Sequence, residues 1–337
     1  MTQRMNRQWL LAARPKGLVK ESDFRRHDTA VPEISDGEIL VRSTHVSIDP
    51  AMRGWMENRG DYMAPLDLGD VMRSFNVGDV VASRNPAYRE GDVVTGLFGW
   101  QDYCVAGTKA CPATKLARPE MRTLYLGGLG VTGFTAYFGL LDLGEPKEGQ
   151  TVVVSGAAGA VGSVAGQIAR IKGCRVVGIA GGAEKCRWVV EDLGFDACID
   201  YKAEDVGKRM TALCPEGINI YFDNVGGEIL DHALARLAMH GRVVLCGGIS
   251  RYNDLDNLTG PKNYFNLIFR RARMEGFIVL DYADRYSEAE QHLARWIETK
   301  ELTHRETIVE GFDNLPAALI GLFKGQNIGK QIVHIGD

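Results

Sequence analysis

The sequence predicts an α/β protein in which a parallel, doubly wound sheet follows a separate β-rich region. Three observations carry this expectation. Short apolar strands in the middle of the chain alternate with segments of helix length. The first of these strands runs directly into a glycine-rich turn and a helical stretch. Roughly the first 125 residues have a different texture, with short β-rich runs cut by Gly, Pro, Asn and Asp.

Bulk properties agree. The 337 residues, 45% hydrophobic and 24% charged, suit two domains and a sizeable core without disulfide or metal staples. Forty glycines exceed ordinary usage and gather at turns, which excludes collagen-like, coiled-coil and disordered chains. A formal charge of −4 with no long basic run argues against a nucleic-acid backbone as partner. Seven cysteines form an odd set without a C-x-x-C pair, pointing to a reduced, cytoplasmic setting rather than a disulfide framework. The run Trp9-Leu10-Leu11-Ala12-Ala13 is too short for a signal sequence. Longer apolar stretches are broken by Gly, Gln and Arg, so no membrane partner is expected.

Taken in order, strands are expected over 38–44, 79–82 and 92–96. The string Gly-Asp-Val-Val occurs at Gly78 and again at Gly91, each read as a hairpin turn entering a strand. Together these predict a compact antiparallel domain. Val152-Val153-Val154 then reads as a buried strand, followed by a helix over about 160–172, a strand at 175–180 and a helix through Trp188 to Leu193. Further strands are expected at 197–200, 218–223, 243–246 and 276–280. Six strands alternating with helices read as βαβ units of a dinucleotide-binding sheet. The closing run Lys330-Gln331-Ile332-Val333-His334-Ile335 reads as a strand that returns to the N-terminal region.

After the first parallel strand comes Ser155-Gly156-Ala157-Ala158-Gly159-Ala160-Val161-Gly162. Gly159 and Gly162 match the second and third glycines of G-x-G-x-x-G, and Ala157 fills the first place. The middle glycine lets backbone approach a pyrophosphate, and the third lets helix and strand pack closely. The helix start, through Ala160 and Val161, offers N–H groups and a positive dipole end. At the end of the second strand an NAD site normally carries Asp or Glu for the ribose 2′-hydroxyl. This chain reads Ala180-Gly181-Gly182-Ala183-Glu184-Lys185. The carboxylate is missing, and Lys185 lies within a turn of the 2′ position, which favours NADP over NAD.

Metal chemistry is not expected. Cys104 and Cys111, with six residues between them, have no further cysteines near them to complete a ligand set, and the seven histidines are scattered with no H-E-x-x-H pair. No G-x-S-x-G elbow is present. A nicotinamide enzyme without a metal polarises its substrate by hydrogen bonds, which suits hydride addition to an activated C=C. Tyrosine is a natural donor for the resulting enolate oxygen.

Several segments, in order and spread over almost the whole chain, resemble one family. They are Ser47-Ile48-Asp49-Pro50-Ala51-Met52-Arg53-Gly54, Gly99-Trp100-Gln101-Asp102-Tyr103, Gly133-Phe134-Thr135-Ala136-Tyr137-Phe138-Gly139-Leu140-Leu141, Phe222-Asp223-Asn224-Val225-Gly226-Gly227 and Gly325-Gln326-Asn327-Ile328-Gly329-Lys330. The family is the zinc-independent medium-chain dehydrogenase/reductases, in the branch of prostaglandin, alkenal double-bond and bacterial curcumin reductases. The resemblance implies a GroES-like β-rich catalytic domain over 1–128, completed by 309–337, and a Rossmann doubly wound parallel sheet over 129–308. It implies NADPH-dependent reduction of the C=C bond of α,β-unsaturated ketones and aldehydes, by a homodimer. Two other readings stay open: an NADPH quinone oxidoreductase of the same superfamily, and a non-catalytic NADP-binding protein.

Carried over by residue, the resemblance assigns Lys185 and Tyr201 to the 2′-phosphate, and Asn224 and Asn327 to the nicotinamide half. It places Tyr252 near the nicotinamide ribose and the substrate carbonyl, as the catalytic residue. Tyr62 falls near a substrate-pocket tyrosine. Without the resemblance, Tyr252 and Tyr62 read as packing aromatics, Tyr201 as a strand-end aromatic, and Asn224 and Asn327 as turn formers. Two departures bear on substrate size: Ala51 stands where the family usually has Tyr, and Met72-Arg73-Ser74-Phe75-Asn76 replaces a glycine-rich strand entry.

Overall fold

The computed structural model describes residues 5–59, 62–254 and 257–336. These form two compact units, one holding the described residues up to Leu126 together with those from Glu306 on, the other Gly127–Arg305.

In the first unit, β1 (Met5–Leu11) and β2 (Phe24–Ala30) make an antiparallel pair. β3 (Ile39–Ser47) precedes the short α1 (Met52–Trp55), and β4 (Asn76–Ser83), β5 (Val93–Gly96), β6 (Tyr103–Ala106) and β7 (Ala113–Lys115) follow. The strands predicted at 38–44, 79–82 and 92–96 are all present, the first two longer than expected. The two Gly-Asp-Val-Val copies differ. Gly91 sits in the turn before β5 with φ +87°. Gly78 lies inside β4, so the turn expected there is absent. A Cβ at Gly78 would come within 2.4 Å of the Arg42 carbonyl oxygen, where the β3–β4 register shifts at a bulge. The glycine serves a close strand approach, which a four-letter pattern cannot distinguish from a turn.

The second unit opens with α2 (Val131–Phe138) and then alternates strand and helix. The elements are β8 (Thr151–Ser155), α3 (Ala160–Ile171), β9 (Arg175–Ala180), α4 (Ala183–Glu191), β10 (Ala197–Asp200), α5 (Val206–Leu213), β11 (Ile218–Asp223), α6 (Gly227–Ala235) and β12 (Leu237–Leu245). α7 (Asn266–Arg270), β13 (Arg273–Gly276) and α8 (Tyr286–Glu298) complete it. The sheet order is β10-β9-β8-β11-β12-β13, and each neighbouring pair of strands runs parallel. This is the doubly wound order, with its switch point between β8 and β11. Val152, Val153 and Val154 are fully buried, as a central parallel strand covered on both faces requires.

Two strands fall elsewhere than predicted. β12 begins six residues before the expected 243. β13 occupies Arg273–Gly276 rather than 276–280, paired from Arg242↔Arg273 to Leu245↔Gly276. An edge strand covered on few sides tolerates exposed Arg273 and Glu275, so apolarity does not mark it. The apolar residues after it serve packing instead, with the Phe277 ring closing on Gly139 beside Phe222.

The chain then contributes β14 (Glu306–Glu310), α9 (Leu315–Phe323) and β15 (Lys330–His334) to the first unit. β15 pairs antiparallel with β3 through Ile332↔Ser47, as the sequence led one to expect. β14 runs parallel to β15, with α9 as the crossover, so this sheet is not wholly antiparallel. Its order is β14-β15-β3-β4-β5-β7, with β6 on β3. Val46, Ile48, Met52, Trp55 and Met56 meet Leu315, Leu319 and Val333 in one buried cluster, which fastens the C-terminal tail to the N-terminal strands. The buried Lys330 ammonium donates to the Asp49 carboxylate and to the Ile48 carbonyl, fixing the segment that leads into Ala51.

Candidate cofactor and substrate site

The carboxyl ends of β8, β9, β10, β11 and β12 lie along one edge of the parallel sheet. The glycine turn begins with Gly156, whose φ of +61° is the left-handed conformation that favours glycine. The tight-turn residue is therefore Gly156 and not Ala157, although Ala157 fills the first motif position. Ala157 is fully buried and its N–H donates to the Ile179 carbonyl at 3.0 Å, tying the turn to β9. Gly159 caps α3 with extended backbone. A Cβ at Gly162 would lie 2.3 Å from the Gly156 carbonyl oxygen, so only glycine lets the helix start this close to the strand. The first-turn N–H groups, at Ala160, Val161 and Gly162, precede the first intrahelical partner. At Gly159, too, an added Cβ would come within 3.2 Å of the Gly156 carbonyl oxygen, and a bare glycine turn leading into unpaired helix-start N–H groups fits a pyrophosphate.

At the ends of β9 and β10 a second constellation forms. A Cβ at Gly181 would meet the Tyr201 ring and hydroxyl at 2.7 Å, so the aromatic lies directly on the glycine. Asp200 is the carboxylate nearest this corner by sequence, but its Oδ1 accepts from the N–H groups of Gly182 at 2.8 Å and Lys202 at 3.0 Å. It shapes the loop. Lys185 is half-buried, and its ammonium pKa is lowered first by burial and then by the Lys202 charge. Two cations held near each other, one of them partly desolvated, form a site that a phosphate dianion relieves. Lys202 went unnoticed in the sequence, where a lone lysine after a strand reads as surface. Glu184 faces Arg305 instead, 3.9 Å away.

A third constellation lies where β11 and β12 end. Asp223 is 1% exposed. Its Oδ1 accepts from Ser155 Oγ (2.9 Å), Tyr221 Oη (3.0 Å), and the N–H groups of Val225 (3.1 Å) and Gly226 (3.0 Å). Oδ2 has no hydrogen-bond partner among the described residues, and burial pushes the carboxyl pKa up against those donors. Asn224 is held to β8: its N–H donates to Ser155 Oγ at 2.9 Å and its Nδ2 to the Ser155 carbonyl at 2.7 Å. The Gly247 and Ile249 N–H groups donate to the carbonyls of Asp223 and Asn224, folding the loop after β12 over this turn. Tyr252 closes the loop, its Oη accepting from the Gly248 N–H at 3.1 Å. A Cβ at Gly247 would lie 3.1 Å from Tyr252 Oη and 3.5 Å from the Asn224 carbonyl oxygen, so the two predicted residues converge on one glycine. Asp223, Gly156 and Gly247 are additions to the residues picked out by sequence; only the Asp-Asn-x-Gly-Gly string signalled the first.

Ala51, Tyr62 and Asn327 belong to the first unit. Ala51 caps α1 and packs on the buried cluster, as does Met63, the neighbour of the largely exposed Tyr62. Asn327 is buried, and its Nδ2 donates to the Gly329 carbonyl at 2.9 Å, the bond of a turn former. In the 72–76 departure, buried Ser74 and Asn76 form a polar knot with Ser43 and the Gly99 carbonyl. The sulfurs of Cys104 and Cys111, the pair expected to have no further cysteines near it, lie 3.9 Å apart. Among the described residues, no group of three or more His, Cys, Asp or Glu is placed to hold a metal ion.

Family models describe residues 7–113 as the N-terminal domain of oxidoreductase and 160–297 as zinc-binding dehydrogenase. The chain is 42% identical to the NADPH-dependent curcumin reductase of Escherichia coli over 98% of each chain. It is 38% identical to the NADP(+)-dependent 2-alkenal reductase of Nicotiana tabacum, covering 98% of this chain and 97% of that one. The crystal structure of CurA from Vibrio vulnificus in complex with NADPH superposes with a TM-score of 0.93 at 41% identity, over 98% of this chain and 99% of the other. With identity of this order running through both units, the chain belongs to the zinc-independent medium-chain dehydrogenase/reductases, in the branch that holds the curcumin, alkenal and prostaglandin reductases.

Proposed function

We infer that this protein is an NADPH-dependent reductase of the C=C bond in α,β-unsaturated ketones and aldehydes. The observation that carries the reading is its end-to-end similarity to enzymes named for reducing curcumin and 2-alkenals. When bound, NADPH supplies a hydride for the β-carbon of the substrate.

The chain's own residues do the rest. The Gly156–Gly162 turn and the start of α3 hold the pyrophosphate. Lys185 and Lys202, with Tyr201 against Gly181, hold the 2′-phosphate as paired point charges. Asn224, kept in place by Ser155, borders the nicotinamide half, and Asn327 is assigned there as well. Tyr252 donates its hydroxyl proton in a hydrogen bond to the substrate carbonyl oxygen, where negative charge gathers as the enolate forms. The Gly248 N–H on the phenol oxygen polarises that O–H and strengthens it as a donor. A proton from Tyr252 or water completes the α-carbon. Ala51 and Tyr62 shape the substrate end, with Ala51 leaving more room than the tyrosine usual in the family.

The protein is further proposed to work as a homodimer in the cytoplasm. Supporting the dimer, β13 is the outer strand of its sheet, and Tyr264, Phe265, Ile268 and Phe269 stand at least half exposed nearby in sequence. Supporting the compartment, all seven cysteines are free. Among the described residues no single helix is long and apolar enough to cross a membrane.

The test is NADPH consumption over enals, enones, a curcumin-like dienone and quinones, with NADH as the control. Turnover of the unsaturated carbonyls with NADPH is expected. Turnover of quinones alone would move the protein to the quinone oxidoreductases, and turnover of none would leave a cofactor-binding protein without this activity.

A further inference from the structure

We propose that Cys104 and Cys111 form a redox-convertible dithiol, a modification site at which a hydroperoxide closes a disulfide between β6 and the loop preceding β7. Their sulfurs are 3.9 Å apart. An S–S bond needs about 2.05 Å, a gap that rotation of the two cysteine side chains is proposed to close. The segment between them is already drawn into a tight loop. The N–H groups of Gly107 and Thr108 donate to the Cys111 carbonyl at 2.9 and 3.3 Å, and the Cys111 N–H donates to Thr108 Oγ1 at 3.1 Å. Gly107, at φ +84°, supplies the bend.

The two thiols are chemically unequal. Cys104 is buried in the cluster with Ile39, Val41 and Val94, on a strand paired with β3. Cys111 is half-buried at the rim of that cluster. The hydrogen bond shared with Cys111, together with burial, raises the Cys104 pKa and keeps it a thiol. The same bond lowers the pKa of Cys111. Cys111 is therefore the more accessible and more thiolate-like sulfur, and Cys104 is the resolving partner behind it.

The chemistry balances. The Cys111 thiolate attacks the outer peroxide oxygen, the O–O bond breaks, and Cys111 becomes a sulfenic acid while the alkoxide takes a proton and leaves as alcohol. Cys104 sulfur then attacks the Cys111 sulfur, the S–O bond breaks, and water departs with the Cys104 proton. Two thiols lose two electrons and the hydroperoxide gains them. None of the residues assigned to cofactor or substrate takes part.

The experiment treats the full-length protein with hydrogen peroxide under non-denaturing conditions, blocks remaining thiols, and maps peptides by mass spectrometry. The expected product has lost two hydrogens, yields a Cys104–Cys111 linked peptide, and reverts with dithiothreitol. Closing this loop is also expected to raise the melting temperature by several degrees. Cys104→Ser is expected to leave Cys111 as a sulfenic acid that dimedone captures, and Cys111→Ser to leave Cys104 unmodified. Mapping of the wild type decides the matter even if either variant fails to fold. Absence of the linked peptide, or peroxide carrying Cys111 to the sulfinic acid with Cys104 still free, overturns the proposal.

Discussion

Lys185 is the residue on which cofactor choice turns. Its ammonium is disfavoured by burial and by Lys202, a penalty that a 2′-phosphate between them removes. Lys185→Ala is expected to weaken NADPH binding by about 10–100-fold, on the order of 1.4–2.7 kcal/mol, and to leave NADH binding within twofold. Fluorescence titration with both cofactors checks this, and an equal loss for each would assign Lys185 a structural role. Tyr252→Phe removes one donor to the developing enolate and is expected to lower kcat about 100-fold, with the Kd for NADPH nearly unchanged. An unchanged kcat removes Tyr252 from the mechanism. His45 makes a separate prediction about stability. Burial, then the neighbouring His334 charge, lowers its pKa from 6.5 to about 4. The unfolded chain thus binds a proton that the folded chain resists, so the stability this site contributes is present above pH 6.5 and is lost as pH falls through 4. His45→Phe is expected to flatten that part of the melting-temperature profile relative to wild type.

At the scale of elements, β8, α3 and β9 were legible because a buried parallel strand, a glycine turn and a helix start each leave a local signature. Strands 175–180, 197–200 and 218–223 coincide with β9, β10 and β11. What local reading missed depends on contacts distant in sequence. β13 is set by pairing with β12 and not by its own apolarity. Gly78 is required by the Arg42 carbonyl across the sheet, and the parallel β14 follows from where α9 delivers β15. At the site, Ala157 was placed by motif arithmetic, whereas φ falls on Gly156; Lys202 became visible only when β10 brought it to Lys185. The turn also predicts an outcome. In Gly162→Val the new side chain meets the Gly156 carbonyl, so the turn opens. Loss of measurable NADPH binding, with a melting temperature lower by several degrees, is expected. Retained affinity would mean the turn does not carry the pyrophosphate.

For the molecule as a whole, the dimer and the reaction are the claims open to direct measurement. Sedimentation at micromolar concentration is expected to give twice the chain mass, and the double substitution Ile268→Glu with Phe269→Glu to give the chain mass alone. A wild-type monomer would end the dimer reading. The central claim concerns where the hydride goes. Reduction of an unsaturated ketone with NADPH deuterated at the transferable position, followed by NMR of the product, reads this out. The account predicts a saturated ketone with a single deuterium on the β-carbon. Deuterium on the carbonyl carbon of an allylic alcohol would contradict it.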